Sequence, residues 1–124
     1  MRPRSKTLTE QELEIMKIVW DRERGTVRDV YEALLERRKV AYTTVMTMMK
    51  ILEQKGFLKK APQGDRAFVY RPAQPKRQVV GAMVKEFINR VFNGSAEPLL
   101  VHLVEEHHLT QKDLEEIAKL RRKS

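Results

Sequence analysis

The sequence predicts a mainly α-helical protein with one small antiparallel β-hairpin. Three segments, beginning at Thr9, Thr26 and Thr110, start with a threonine and a carboxylate at the i+3 position and continue as an apolar stripe at helical spacing. After Gly56 the apolar spacing changes to alternation around a Pro-Gln-Gly-Asp turn. We therefore expect a head over residues 1–73 and a helical tail over residues 74–124.

The first two helices follow from their start signals, because a threonine hydroxyl accepts a first-turn N–H and the carboxylate returns to the cap. We predict the first helix from about Glu10 to Asp21, with an inward side made of Leu13, Met16, Val19 and Trp20. The second is expected from about Val27 to Arg37, with an inward side made of Val27, Val30, Tyr31, Leu34 and Leu35.

The third helix has an unusual polar face. It is predicted from about Thr43 to Lys55, with Gly56 as its left-handed cap and with Val45, Met48, Met49 and Leu52 buried. The opposite side carries Thr43, Thr44, Thr47, Lys50 and Gln54, and no carboxylate lies in its first two turns. Ordinary solvated helix faces mix both signs of charge, so this face indicates contact with an anionic partner.

The hairpin is predicted from strands at Phe57–Ala61 and Arg66–Arg71, with Phe68 and Tyr70 on one side. Pro72 and Pro75 end it. Lys59 and Lys60 are explained equally well by contacts with phosphates and by protection of an edge strand.

The tail is predicted to form helices at about Pro75–Phe92, Ser95–His107 and Thr110–Arg122. The first of these is apolar over much of its circumference, more than a small head could cover, which indicates burial against a second copy. The candidate dimerisation residues are Val80, Val84, Phe87, Ile88, Val91, Leu99, Leu100, Leu103, Leu114 and Ile117.

Charge and element order point to double-stranded DNA. The net charge is +8, and residues 1–72 hold 16 Lys and Arg against 10 Asp and Glu. Three short helices followed by a basic hairpin are typical of a winged helix-turn-helix, whose third helix enters the major groove. The candidate DNA-binding residues are Tyr42, Thr43, Thr44, Thr47 and Lys50, with Arg66 at the hairpin tip. A homodimer on an inverted-repeat operator would supply the contacts that one small head lacks.

Several other classes of protein are disfavoured. We expect no catalytic residues and no cofactor, since the chain shows no nucleophile with a base and no phosphate-binding glycine loop. The 124 residues contain no cysteine, and His102, His107 and His108 are poorly spaced for a metal. No apolar run reaches the roughly 18 residues of a membrane span, so we expect a cytoplasmic protein without membrane insertion.

The segments LTEQELEIMKIVW (8–20), VRDVYEALL (27–35), YTTVMTMMKILEQKGFL (42–58), FVYRP (68–72) and the late LTQKDLEEI resemble the penicillinase repressor (BlaI/MecI) family of bacterial regulators. The resemblance implies a homodimeric repressor on a palindromic operator, released when a membrane-bound sensor protease cuts its tail. His102 and Leu103 stand where the best-known members carry an Asn-Phe scissile bond. Copper-responsive relatives end in a cysteine cluster that this chain lacks.

Two alternatives stay open at this level. A winged helix can serve as a protein interaction module whose basic face meets an acidic partner. A DNA-binding regulator can also be released by a small-molecule effector instead of by proteolysis.

Overall fold

The computed structural model describes residues 7–64 and 67–121. It contains α1 (Glu10–Arg22), α2 (Val27–Leu35), α3 (Tyr42–Gln54), β1 (Leu58–Gln63), β2 (Ala67–Pro72), α4 (Lys76–Phe92), α5 (Glu97–His107) and α6 (Gln111–Arg121). The predicted fold class, a mainly helical chain with one antiparallel hairpin, is confirmed. Arg66 and Asp65 of the hairpin tip lie outside the described residues.

The three predicted helix starts are confirmed as capping boxes. Thr9 and Thr26 each accept a hydrogen bond from the backbone N–H at the i+3 position, and the Glu12 and Asp29 carboxylates return to the cap N–H. The Thr110 amide donates to Asp113 at 3.0 Å, and the Asp113 amide donates to the Thr110 hydroxyl at 3.1 Å. Each box places a carboxylate in a first turn, where it opposes the positive end of the helix dipole.

The core of the head lies between the first three helices and the hairpin. As predicted, Met16, Val19, Val30, Leu34, Val45, Met49 and Leu52 are buried. Ile15 and Ile18 of α1 are also buried, although the sequence pattern did not assign them. Leu13, Trp20, Val27, Tyr31 and Met48, all predicted inside, are only half-buried.

The prediction for Leu35 was wrong. Its residue surface is 44% exposed, whereas Leu34, one position earlier, is buried. At about 100° per residue, Leu35 is turned away from the side of α2 that carries the buried Val30 and Leu34.

The hairpin pairs β1 with β2 in antiparallel register from Leu58↔Pro72 to Gln63↔Ala67. Its second strand is also attached to the connection between α1 and α2. The Gly25 amide donates to the Tyr70 carbonyl at 2.9 Å, and the Tyr70 amide donates to the Gly25 carbonyl at 2.8 Å. This backbone pairing makes the connection between α1 and α2 a support for the hairpin.

The left-handed cap predicted at Gly56 is confirmed. Gly56 has φ +90°, and the Phe57 amide donates back to the Leu52 carbonyl at 2.9 Å. Such a cap satisfies carbonyls of the last turn and redirects the chain from α3 into β1. Gln74 then donates to the Gly56 carbonyl at 3.0 Å, and the Trp20 indole donates to the Gln74 carbonyl at 3.1 Å.

The chain divides into two compact units at Val80 and Gly81, inside α4 and later than the boundary expected after residue 73. The first unit contains the three-helix head and the hairpin. The second contains most of α4 together with α5 and α6. In the described part of the second unit, no side chain is buried.

Candidate nucleic-acid interface

The polar face of α3 is free, as the sequence predicts. Thr43, Thr44, Thr47, Lys50 and Gln54 are all exposed. At about 100° per residue, Thr43, Thr47 and Lys50 fall within an arc of about 60°. No hydrogen bond or ion pair to another described residue engages the side chains of Thr43, Thr44, Thr47 or Lys50. Three hydroxyls and one ammonium are therefore available to a ligand on one side of the helix.

Val45, Met49 and Leu52 hold α3 in place from its opposite side, where all three are buried. A second attachment lies near the C-terminal end of the helix. Lys55 Nζ lies 2.9 Å from Glu12 Oε1 and 3.2 Å from Glu12 Oε2, with side-chain exposures of 16% for Lys55 and 6% for Glu12. This α1–α3 ion pair ties the end of α3 to the start of α1, so the exposed face is carried on a fixed helix.

The protonation of this ion pair is controlled by opposing effects. Burial raises the pKa of the Glu12 carboxyl, but the Lys55 ammonium and the Thr9 backbone amide lower it by more. The pKa of Glu12 therefore lies below its ordinary value, and the carboxylate is charged at neutral pH.

Aromatic and cationic side chains surround the start of α3. Tyr42, the first residue of the helix, is exposed, and its ring meets the Tyr31 ring edge-on at 5.3 Å between centroids. The Arg28 guanidinium lies 5.8 Å from the Tyr42 ring centroid and also pairs with Glu32 at 3.5 Å. Arg28 was missed at the sequence level, because nothing in its local pattern shows that the start of α2 lies beside the start of α3.

The hairpin presents a cation and an aromatic ring next to α3. Lys60 Nζ lies 4.7 Å from the Phe68 ring centroid and 4.0 Å from Glu53 Oε1 on α3. Phe68 is 49% exposed, whereas Tyr70, on the same side of the strand, is buried. Burial, with the nearby Glu53 carboxylate, raises the pKa of Tyr70. The sequence predicts Phe68 and Tyr70 on one side of the hairpin. Of the two, Tyr70 is covered by the head, and Phe68 lies beyond the part of the hairpin that the helices cover.

The candidate dimerisation residues are largely uncovered in the single chain. Val80, Val84, Phe87, Val91, Leu100, Leu114 and Ile117 are exposed, and Ile88, Leu99 and Leu103 are half-buried. Val101 and Leu120 add further exposed apolar surface that the sequence interpretation left out. In the described part of residues 81–124, the chain thus has an extensive apolar surface and no buried side chain.

Other kinds of site find no support in the described ranges. Residues 7–64 and 67–121 contain no group of three His, Cys, Asp or Glu side chains that could hold a metal ion. Across the same residues, no helix combines the length and apolar character that a membrane span requires.

Comparisons with known proteins agree with the geometry of the head. The profile of the penicillinase repressor family matches residues 8–123. The transcriptional regulator BlaI of Mycobacterium tuberculosis is 40% identical over 100 residues, covering 79% of this chain and 72% of the relative. The penicillinase repressor of Bacillus licheniformis is 26% identical over 110 residues, covering 89% of this chain and 85% of the relative.

A solved structure is similar as well. It is the solution structure of the monomeric form of Bacillus licheniformis BlaI in complex with the blaP half-operator. The two chains are 30% identical with a TM-score of 0.50, and the match covers 60% of this chain and 85% of that one.

Proposed function

The chain belongs to the penicillinase repressor family, and from this premise we propose that it is a sequence-specific DNA-binding transcriptional repressor. The observation that carries the proposal is the exposed, carboxylate-free face of α3, whose hydroxyls and ammonium have no partner among the described residues. Two comparisons support the same function. The family is one of repressors, and the relative from Bacillus licheniformis was solved in complex with a half-operator.

The residues of α3 have distinct roles in this proposal. A B-form major groove accepts one α-helix, and short side chains bring its backbone close to the base edges. Thr43, Thr44 and Thr47 each offer a donor and an acceptor at a short reach, and Lys50 offers a cation to a guanine edge or a phosphate. Tyr42 lies at the start of α3, where its hydroxyl would contact a phosphate of the DNA backbone beside the groove.

Cations beside α3 would position the head on the duplex. Contacts with phosphates fix register and orientation without selecting a sequence. Two cations suit that role because they lie next to the two ends of α3. They are Arg28, at the start of α2, and Lys60, on β1. Arg66, which the sequence places at the hairpin tip, is proposed as a contact to a phosphate or to the minor groove.

We propose that the tail, residues 74–124, pairs two copies of this chain. A compact unit needs an interior, yet the described part of residues 81–124 buries no side chain while it exposes Val84, Phe87 and Val91. Apolar surface of this extent is covered by a partner in stable proteins. A second copy supplies the same apolar surface, and two-fold symmetry would place two α3 helices on an inverted-repeat operator.

The family suggests release through cleavage of the tail by a membrane sensor protease. In this chain the corresponding bond joins His102, exposed, to Leu103, half-buried, within α5. Proteases bind substrates in an extended conformation, so cleavage there requires α5 to unwind locally. We propose loss of tail pairing as the inducing step, in a cytoplasmic regulator that acts without catalysis or a cofactor.

Selection of binding sites from random duplex DNA, followed by footprinting, tests the function. We expect enrichment of inverted repeats with half-sites about one helical turn, roughly 10 bp, apart. Lys50→Glu protein is the matched control and should select nothing. Enrichment without a repeat would contradict the dimeric repressor, and binding to an acidic protein that no selected duplex displaces would favour an interaction module instead.

A further inference from the structure

Met46 is an apolar side chain on the surface that the proposed function assigns to DNA. It is 42% exposed on α3, whereas Met49 is buried and Met48 is half-buried. Leaving a methionine in water forgoes the stabilisation that its burial gives, and the head does not cover it. Its role is therefore not in the core, although neighbouring methionines pack there.

The helix places Met46 beside the proposed contact residues. On an α-helix, neighbours on the surface are three and four positions apart. Thr43 and Lys50 are such neighbours of Met46, and both are exposed. Met46 also lies in the N-terminal half of α3 (Tyr42–Gln54), the part of a recognition helix that reaches the base edges.

Major-groove chemistry identifies what this side chain meets. Base edges there present donors and acceptors, and the 5-methyl group of thymine is their apolar feature. A flexible thioether adapts its rotamer to a small apolar group better than a branched side chain does. We infer that Met46 contacts the 5-methyl group of one thymine in each half-site and so selects thymine at that base pair. This inference rests on the proposed function.

The test replaces thymine by uracil, one position at a time, in the duplex obtained by selection. Uracil pairs as thymine does and lacks only the methyl group. We expect a loss at one position in each half-site. Uracil at that position in one half-site should lower the affinity about fourfold, and uracil in both half-sites about fifteenfold, because each substitution removes the transfer free energy of about one methyl group. The other positions should show no loss of that size.

Variants assign the effect to Met46. Met46→Ala should bind the thymine duplex about as weakly as the wild type binds the uracil duplex, and should no longer distinguish the two. Alanine favours helix and position 46 is exposed, so the variant should fold, which thermal melting checks. Leu35→Ala, at a similarly exposed apolar residue on α2, is the matched control and should keep the uracil effect.

The outcomes separate this inference from the proposed function. Wild-type binding without any uracil effect, or a uracil effect that survives Met46→Ala, overturns the role of Met46 and leaves the repressor intact. Failure of the wild type to bind every selected duplex overturns both.

Discussion

The α1–α3 ion pair gives a stability prediction that follows from its burial. Glu12→Gln keeps a side-chain oxygen that can reach the Thr9 amide, so the capping box persists, but the negative charge opposite Lys55 is lost. Breaking a fully buried pair costs roughly 3–5 kcal/mol. Lys55 retains a hydrogen bond to the Thr7 carbonyl at 3.2 Å and some access to water, so we expect a cost of about 2 kcal/mol at pH 7.

The pH dependence of this cost has a definite sign. The pKa of Glu12 in the folded chain lies below its unfolded value of about 4.3. The ion pair therefore contributes fully above the unfolded pKa, and its contribution disappears as pH falls through the folded-state pKa. The difference in unfolding free energy between wild type and Glu12→Gln should shrink steadily from about pH 4 downward.

Urea denaturation of the full chain at one fixed protein concentration measures both effects, since the proposed pairing of two copies would make stability depend on concentration. Glu14→Gln is the matched control. Glu14 lies on the same helix and pairs with Arg38 at 2.9 Å, but in a more exposed setting, so its loss should cost under about 1 kcal/mol. A cost below about 0.5 kcal/mol for Glu12→Gln at pH 7, or a cost that is the same at pH 7 and pH 3, would refute the reasoning.

Three further predictions follow from the head and the tail. Lys50→Glu puts a carboxylate on the polar face of α3 and should abolish operator binding in a mobility-shift assay without changing the melting temperature; retained binding would contradict the interface. Phe87→Asp should turn the proposed dimer into a monomer in sedimentation velocity, because it charges the apolar tail surface, and a dimer that persists would exclude that surface from pairing. Trp20→Phe removes the donor to the Gln74 carbonyl and should cost about 1 kcal/mol in urea denaturation, so a negligible cost would show that the hydrogen bond adds no stability.

The parts of the fold that sequence predicted well are those set by local chemistry. Each capping box joins residues within one helical turn, so Thr9, Thr26 and Thr110 could be identified from spacing alone. The left-handed cap at Gly56 is similarly local. The polar face of α3 was predictable because its apolar stripe, once assigned, fixes the direction of the opposite face.

Features that depend on distant segments could not be predicted in this way. The pairing of Gly25 with Tyr70 uses only backbone amide and carbonyl groups, which nearly every residue has. No side-chain pattern in the sequence therefore marks it. Glu12 was recognised as a cap, but its burial against Lys55 depends on how α1 and α3 pack. The exposure of Phe68 likewise depends on how far the neighbouring helices cover the hairpin.

The pairing of Gly25 with Tyr70 has a consequence for the thermodynamics of DNA association. Hydrogen bonds of 2.9 and 2.8 Å attach β2 to the connection between α1 and α2, so this part of the hairpin is fixed to the head in the absence of a duplex. Ordering a flexible segment on binding consumes part of the interaction free energy, and a preorganised surface avoids that loss. If the head binds DNA as proposed, the entropic penalty of association should therefore come mainly from side chains, with little from the backbone of β2.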